Sequence, residues 1–140
     1  MNPPSRQTAS IGSVAPGNPV ARLFDIKKMA VHDGPGIRTT VFFKGCPLDC
    51  RWCHSPESRS RAVQVRFVAH LCAGCGRCVE ACPAGCHVLA SDGTHTYSRE
   101  QCLTCGACAE ACPHDALGLI GYDATVEEVF AILIKDKPYF

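Results

Sequence analysis

No apolar run in this 140-residue chain approaches the ~18 residues that a membrane-spanning helix needs, so nothing in it reads as a membrane segment. An excess of charge of either sign is missing too. Lys and Arg number 14 against 13 Asp and Glu, a formal net charge of +1, and the basic residues are scattered, which removes nucleic acid as an expected partner. The N-terminal stretch has no apolar core of the kind a secretory signal carries. Residues 1–20, rich in Pro, Ser, Gly and Asn, read as a disordered tail. A chain of this length holds at most one to two small domains.

Cysteine is what the chain has in abundance, 12 in all, falling into three groups. Cys46, Cys50 and Cys53 form C-x3-C-x2-C. Cys72, Cys75, Cys78 and Cys82 form C-x2-C-x2-C-x3-C followed by Pro83, and Cys102, Cys105, Cys108 and Cys112 repeat that pattern before Pro113. The repeated run is the ligand pattern of bacterial two-cluster [4Fe–4S] ferredoxins. The first group offers three thiolates only, and an iron left without a protein ligand is an open position for substrate. Disulfides do not fit, because the thiols sit too close in sequence for independent bridges and no secretory segment accompanies them. Zinc knuckles explain neither the proline after each fourth cysteine nor the group of three. Thiolate-bound clusters without an export signal point to a reducing, anaerobic cytoplasm.

A shift of 30 residues lays the second ferredoxin run on the first, with Gly76 on Gly106, Glu80 on Glu110 and Pro83 on Pro113. The remaining cysteine, Cys86, falls on Ala116, so it reads as a small packed thiol. Leu23–Val31 reads as an edge strand, and the loop at Gly34-Pro35-Gly36, opened by Asp33, leads to a buried strand over Thr39–Phe43. The three-cysteine group follows at once, at the carboxyl end of a strand, where α/β sheets and barrels place their active sites. Val63–Val68 reads as a weaker strand. The Glu-Ala-Cys-Pro segments read as helical turns ended by proline. Thr125–Glu128 is a capping box opening a helix with Val129, Phe130 and Leu133 on one face, Lys135 and Lys137 near its end, and Pro138 as its stop. The histidines His32, His54, His70, His87, His95 and His114 show no shared-site spacing and read as non-ligands.

From Asp33-Gly34-Pro35-Gly36-Ile37-Arg38 through Gly45-Cys46-Pro47-Leu48-Asp49-Cys50-Arg51-Trp52-Cys53-His54, the chain resembles a known family. It is similar to the glycyl-radical enzyme activating enzymes of the radical S-adenosylmethionine superfamily, in particular the subgroup with a two-cluster ferredoxin insert. The resemblance runs from about Leu23 to Phe140, with the DGPGIR loop, the C-x3-C-x-aromatic-C loop and the dicluster insert in the expected order. Ser55 stands where members of the family often carry Asn.

The resemblance implies an α/β fold: the N-terminal part of a partial (β/α)6 barrel interrupted by a ferredoxin-like α+β insert. The expected domains are the tail at 1–20, the first barrel strand and cluster loop at 21–66, the insert at 67–120, and the first barrel helix at 121–140. It implies three [4Fe–4S] clusters and S-adenosylmethionine as cofactors. Cys46, Cys50 and Cys53 would bind three irons of the reactive cluster, with Trp52 against the adenine and backbone at Trp52–His54, Cys53 included, completing that contact. Reductive cleavage of S-adenosylmethionine would then yield the radical that takes a hydrogen atom from a glycine of a partner glycyl-radical enzyme.

In two-cluster ferredoxins the fourth cysteine of each run ligates the other cluster. One cluster is therefore expected on Cys72, Cys75, Cys78 and Cys112, and another on Cys102, Cys105, Cys108 and Cys82. Electron relay from a low-potential flavodoxin or ferredoxin is the expected role of the insert, and a docking surface is the alternative. A barrel of six βα units needs on the order of 200 residues, so the chain is expected to be the N-terminal piece of a longer protein. The competing function is an electron carrier, a dicluster ferredoxin with a third cluster. The open three-cysteine site favours the enzyme, because a carrier needs no open iron.

Overall fold

A computed structural model describes residues 19–32 and 34–139. Residues 1–18, which make up most of the segment read as a tail, together with Asp33 and Phe140, lie outside the described residues. The chain divides into two compact units. One is formed by the residues up to Ala62 together with those from Gly121 on, and the other spans Val63–Ile120.

The first unit is built on a three-stranded antiparallel sheet. Strand β1 (Val20–Ala30) pairs with β2 (Arg38–Phe43) on one side and with β7 (Tyr122–Thr125) on the other. The expectation of an edge strand over Leu23–Val31 is therefore corrected: the segment returning after the second unit pairs with it and makes it central. Leu23 is fully buried at 0% exposure, and Phe24 packs on Phe42 with ring centroids 5.4 Å apart. A register shift between Lys27 and Ala30, with Met29 at a φ of 56°, bulges the strand near its end.

Strand β2 is not buried, contrary to its apolar sequence. Thr39–Phe42 are half-buried and Phe43 is 64% exposed, because among the described residues β2 has a strand neighbour on one side only. Helix α3 (Val126–Leu133) opens on the expected box: Glu128 N donates to Thr125 Oγ1 (3.2 Å), and Thr125 N donates to Glu128 Oε2 (2.8 Å). Its inward residues are Val129, Ile132 and Leu133, whereas Phe130 is exposed. Nor does Pro138 end it. The helix tightens to 3-10 geometry from Ile134, and buried Asp136 accepts from Lys28 Nζ (3.0 Å) on β1 and Thr39 Oγ1 (3.1 Å) on β2.

The second unit begins at Val63, ahead of Phe67, because β3 (Gln64–Phe67) belongs to it. That strand pairs antiparallel with β6 (Leu117–Ile120), and β4 (His87–Leu89) pairs with β5 (His95–Tyr97). Helices α1 (Arg77–Ala81) and α2 (Ala107–Glu110) start at Gly76 and Gly106, whose φ values of 75° and 85° suit a residue without Cβ. The 30-residue repeat survives in three dimensions. Val65 pairs with Leu119 as His95 pairs with Leu89, and Phe67 pairs with Leu117 as Tyr97 pairs with His87.

The core of this unit is Val65, Ala116 and Leu117 with Cys78, Cys108 and Cys112. So few large apolar side chains make a weak core for a unit of this size. Among the described residues every strand pairing is antiparallel, and the architecture is mixed α/β.

Candidate metal centres

Directly after β2 the chain enters the loop that carries Cys46, Cys50 and Cys53. This loop is closed at its base by a 3-10 turn at Pro56–Ser58. The Ser58 carbonyl accepts from both Gly45 N (2.6 Å) and Cys46 N (3.2 Å), and Ser58 Oγ donates to the Ser55 carbonyl at 2.7 Å. Lys44, 5% exposed, donates its N–H to the Arg22 carbonyl at 2.8 Å and its ammonium to the Glu57 carbonyl. Burial pushes the Lys44 pKa down. Gly45 sits at a φ of 107°, and a Cβ there would meet Arg61 Cβ at 3.3 Å, so the loop entrance requires glycine. Arg59 and Asp49 form an ion pair across the loop.

Within this closed loop Cys53 N donates to the Cys50 carbonyl at 3.2 Å. Cys46 is exposed, Cys50 and Cys53 are half-buried, and none of them is in a disulfide. Trp52 is 79% exposed and His54 is also exposed, so both side chains are open to a ligand on the loop's outer face. Ahead of β2, Arg38 folds back on its own turn, Nε donating to the Pro35 carbonyl at 2.8 Å.

Two cavities in the second unit are lined by the remaining ligand candidates. One is lined by Cys72, Cys75, Cys78 and Cys112, and the other by Cys82, Cys102, Cys105 and Cys108. Each cavity thus draws three cysteines from one run and one from the other. All eight thiols are free, and backbone N–H groups already point at two of the sulfurs. Cys86 N donates to Cys82 Sγ (3.3 Å) and Thr104 N donates to Cys102 Sγ (3.4 Å). That donor set suits iron–sulfur clusters, whose ligand sulfurs accept such bonds.

The electrostatics differ from site to site. The Cys86 N–H holds the Cys82 thiol below its usual range, whereas burial pushes the Cys78 thiol up and the Cys108 thiol to about 11. Cys86 is 4% exposed, and burial takes its thiol to about 11, the behaviour of a packed neutral S–H.

The histidines need a correction. His87 and His95 do share a site. His95 Nδ1 lies 3.5 Å from Cys72 Sγ, its Nε2 lies 3.6 Å from Cys78 Sγ, and the same Nε2 is 3.1 Å from His87 Nδ1. Cys78, His87 and His95 bring three ligating atoms within 4.8 Å of one another. Both imidazoles have lowered pKa values, chiefly through burial. Histidine spacing hid this, because the residues meet across the β4–β5 pair. The 30-residue repeat carries the signal instead: His95 replaces Val65, and His87 replaces Leu117. Ser58 and Lys44 were missed for another reason. Their bonds run to or from backbone groups, which side-chain patterns do not reveal.

A 4Fe-4S dicluster domain family matches residues 71–117. The choline trimethylamine-lyase activating enzyme of Oleidesulfovibrio alaskensis is 46% identical over 122 residues, 86% of this chain and 39% of that protein. The isethionate sulfite-lyase activating enzyme of Nitratidesulfovibrio vulgaris is 42% identical over 134 residues, covering 93% of this chain and 44% of the relative. The benzylsuccinate synthase activating enzyme of Thauera aromatica is 44% identical over 120 residues, covering 83% and 36%. The chain spans about two-fifths of the length of these curated relatives. No helix among the described residues is long and apolar enough to cross a membrane.

Proposed function

We propose that the chain belongs to the glycyl-radical enzyme activating enzymes of the radical S-adenosylmethionine type and carries the radical-generating centre of such an enzyme. The observation that carries the reading is the loop of Cys46, Cys50 and Cys53, closed at its base by Ser58 and open on the side of Trp52. Cys46, Cys50 and Cys53 would hold three irons of a [4Fe–4S] cluster, with the fourth open to S-adenosylmethionine. That group would supply the one-electron chemistry that cleaves the sulfonium and so removes a hydrogen atom from a glycine Cα of a partner glycyl-radical enzyme.

The residues of the chain position this chemistry. Lys44 and the Ser58 carbonyl fix the two arms of the loop, so the three thiols are presented from a constrained backbone. The exposed Trp52 ring offers its face to the adenine, with backbone at Cys53 and His54 beside it. Strand β2 is the first strand of a partial barrel and α3 its first helix, with the Val63–Ile120 unit as the insert. In that insert one cluster is held by Cys72, Cys75, Cys78 and Cys112, and another by Cys82, Cys102, Cys105 and Cys108. Ferredoxin-type potentials near about −400 mV suit them to relay electrons from a low-potential flavodoxin or ferredoxin in a reducing cytoplasm.

The test is to reconstitute the chain with iron and sulfide, reduce it and add S-adenosylmethionine. A change in the EPR signal of one reduced cluster, absent in Cys50→Ala, is the expected result. An unaltered signal would leave the electron-carrier reading in its place.

A further inference from the structure

The two halves of the cluster-bearing unit repeat in sequence and in strand pairing, yet they do not repeat in polarity. Strand β3 presents Val65 and Phe67 to the interior. At the matching positions β5 presents His95 and Tyr97, two residues apart and so on one face of the strand, with exposed Thr96 between them on the other. His95 adds a hydrogen-bond donor where the other half has hydrocarbon, and it lines the cavity of Cys72, Cys75, Cys78 and Cys112 with its Nδ1 3.5 Å from Cys72 Sγ, whereas Val65 lines the other cavity.

The protons on the histidine pair follow from the chemistry of the sulfurs. An iron-bound thiolate can only accept, so His95 donates either from Nδ1 to Cys72 or from Nε2 to Cys78, 3.6 Å away, two ligands of the same cluster. With the proton on Nδ1, His95 Nε2 accepts from the Nδ1–H of His87, 3.1 Å away. This leaves His87 Nε2 as a bare lone pair, and that atom is buried without a partner among the described residues. Phe67 meets the His95 ring edge-on with centroids 4.5 Å apart, and Tyr97 stacks on His87 at 4.9 Å, so the imidazole cannot easily turn away.

We propose that His95 on β5 raises the reduction potential of the cluster on Cys72, Cys75, Cys78 and Cys112 above that of the cluster on Cys82, Cys102, Cys105 and Cys108, whose half of the repeat has Val65 at the matching position. Hydrogen bonds to ligand sulfur withdraw electron density and stabilise the reduced, more negative state. The two halves of the repeat thereby give the two relay clusters different potentials. The inference rests on the cluster assignment proposed above, which iron content tests independently of any potential.

The experiment is an EPR-monitored redox titration of the whole reconstituted chain and of His95→Leu and His95→Asn. Leu and Asn have nearly the same shape, but Asn keeps an N–H near the place of Nδ1. In His95→Leu, one of the two signals that do not respond to S-adenosylmethionine should lose about tenfold in reduced-to-oxidised ratio at fixed poise, a shift of about 59 mV for one electron. His95→Asn should retain most of the original potential, and neither variant should move the other signal. Unmoved midpoints in His95→Leu with full iron, or both signals moving together in it, would overturn the proposal. So would zinc bound at Cys78, His87 and His95 in place of about four irons.

Should the His95 variants not retain iron, the unmodified protein labelled with 15N-histidine answers the same question. A histidine nitrogen coupled to one reduced cluster supports the proposal, and no coupling overturns it. If Cys75→Ala leaves the iron content unchanged, the cluster assignment fails instead, and the two failures are told apart.

Discussion

Arg22 and Asp123 face each other across β1 and β7, joined by two hydrogen bonds of 2.5 and 2.8 Å between guanidinium and carboxylate. The same guanidinium donates from Nη1 to the Arg61 carbonyl at 3.2 Å. Arg22 therefore ties together the two ends of the chain segment that leaves for the cluster-bearing unit and returns from it. The Asp123 carboxylate raises the Arg22 pKa, and the guanidinium lowers that of Asp123. Side-chain exposures of 25% and 52% mean that solvent screens much of it.

Asp123→Asn should cost about 0.5–1 kcal/mol, seen as a fall of a few degrees in the thermal midpoint that shrinks at high salt. The folded carboxyl titrates below its unfolded value of about 3.9. Its contribution is therefore complete above that value and is lost as pH falls through the folded one. Thermal melts of the wild type and Asp123→Asn should converge in acid. A difference that persists there would refute the account.

Lys44→Met should loosen the cysteine loop while sparing the other eight ligands. It leaves the Glu57 carbonyl without its ammonium donor, at a typical cost of about 1–3 kcal/mol for an unpaired buried polar group. Iron content should fall by up to about four per chain, the loss of one [4Fe–4S] cluster, with the ferredoxin-type EPR signals retained. Equal loss from all clusters would point to general unfolding.

Fully reconstituted protein should hold about twelve irons, three clusters of four. Cys86→Ala should leave that number unchanged, since Ala116 fills the matching position in the other half of the repeat. Cys50→Ala should remove about four, and Cys112→Ala should perturb the cluster of Cys72, Cys75 and Cys78 instead of that of its own run. Iron analysis and EPR of the four proteins read this directly.

Removing iron should unfold the Val63–Ile120 unit. Its core joins Val65, Ala116 and Leu117 to Cys78, Cys108 and Cys112, so the proposed assignment couples cluster binding to folding. Chelation should abolish its cooperative melt and expose this stretch to protease, whereas the segment tied by Arg22 and Asp123 is cleaved more slowly. Limited proteolysis with and without chelator, followed by mass spectrometry, checks it.

The sequence alone determined what is local. Ligand spacings such as C-x2-C-x2-C lie within a turn or two of backbone, and the Thr125–Glu128 box closes over three residues, so both are visible without a fold. The repeat is equally legible, because duplicated sequence keeps its register wherever it packs. Tertiary structure decided what depends on partners distant in the chain. It made β1 central by pairing it with a strand about a hundred residues away, and it left Phe43 and Phe130 exposed despite their apolar character. It also closed the cysteine loop on the Ser58 carbonyl and brought His95 to Cys72 and Cys78. Periodicity and spacing report only which face of an element a residue occupies. What that face meets is set by long-range strand pairing, and in this protein the pairing decides which groups surround the thiols.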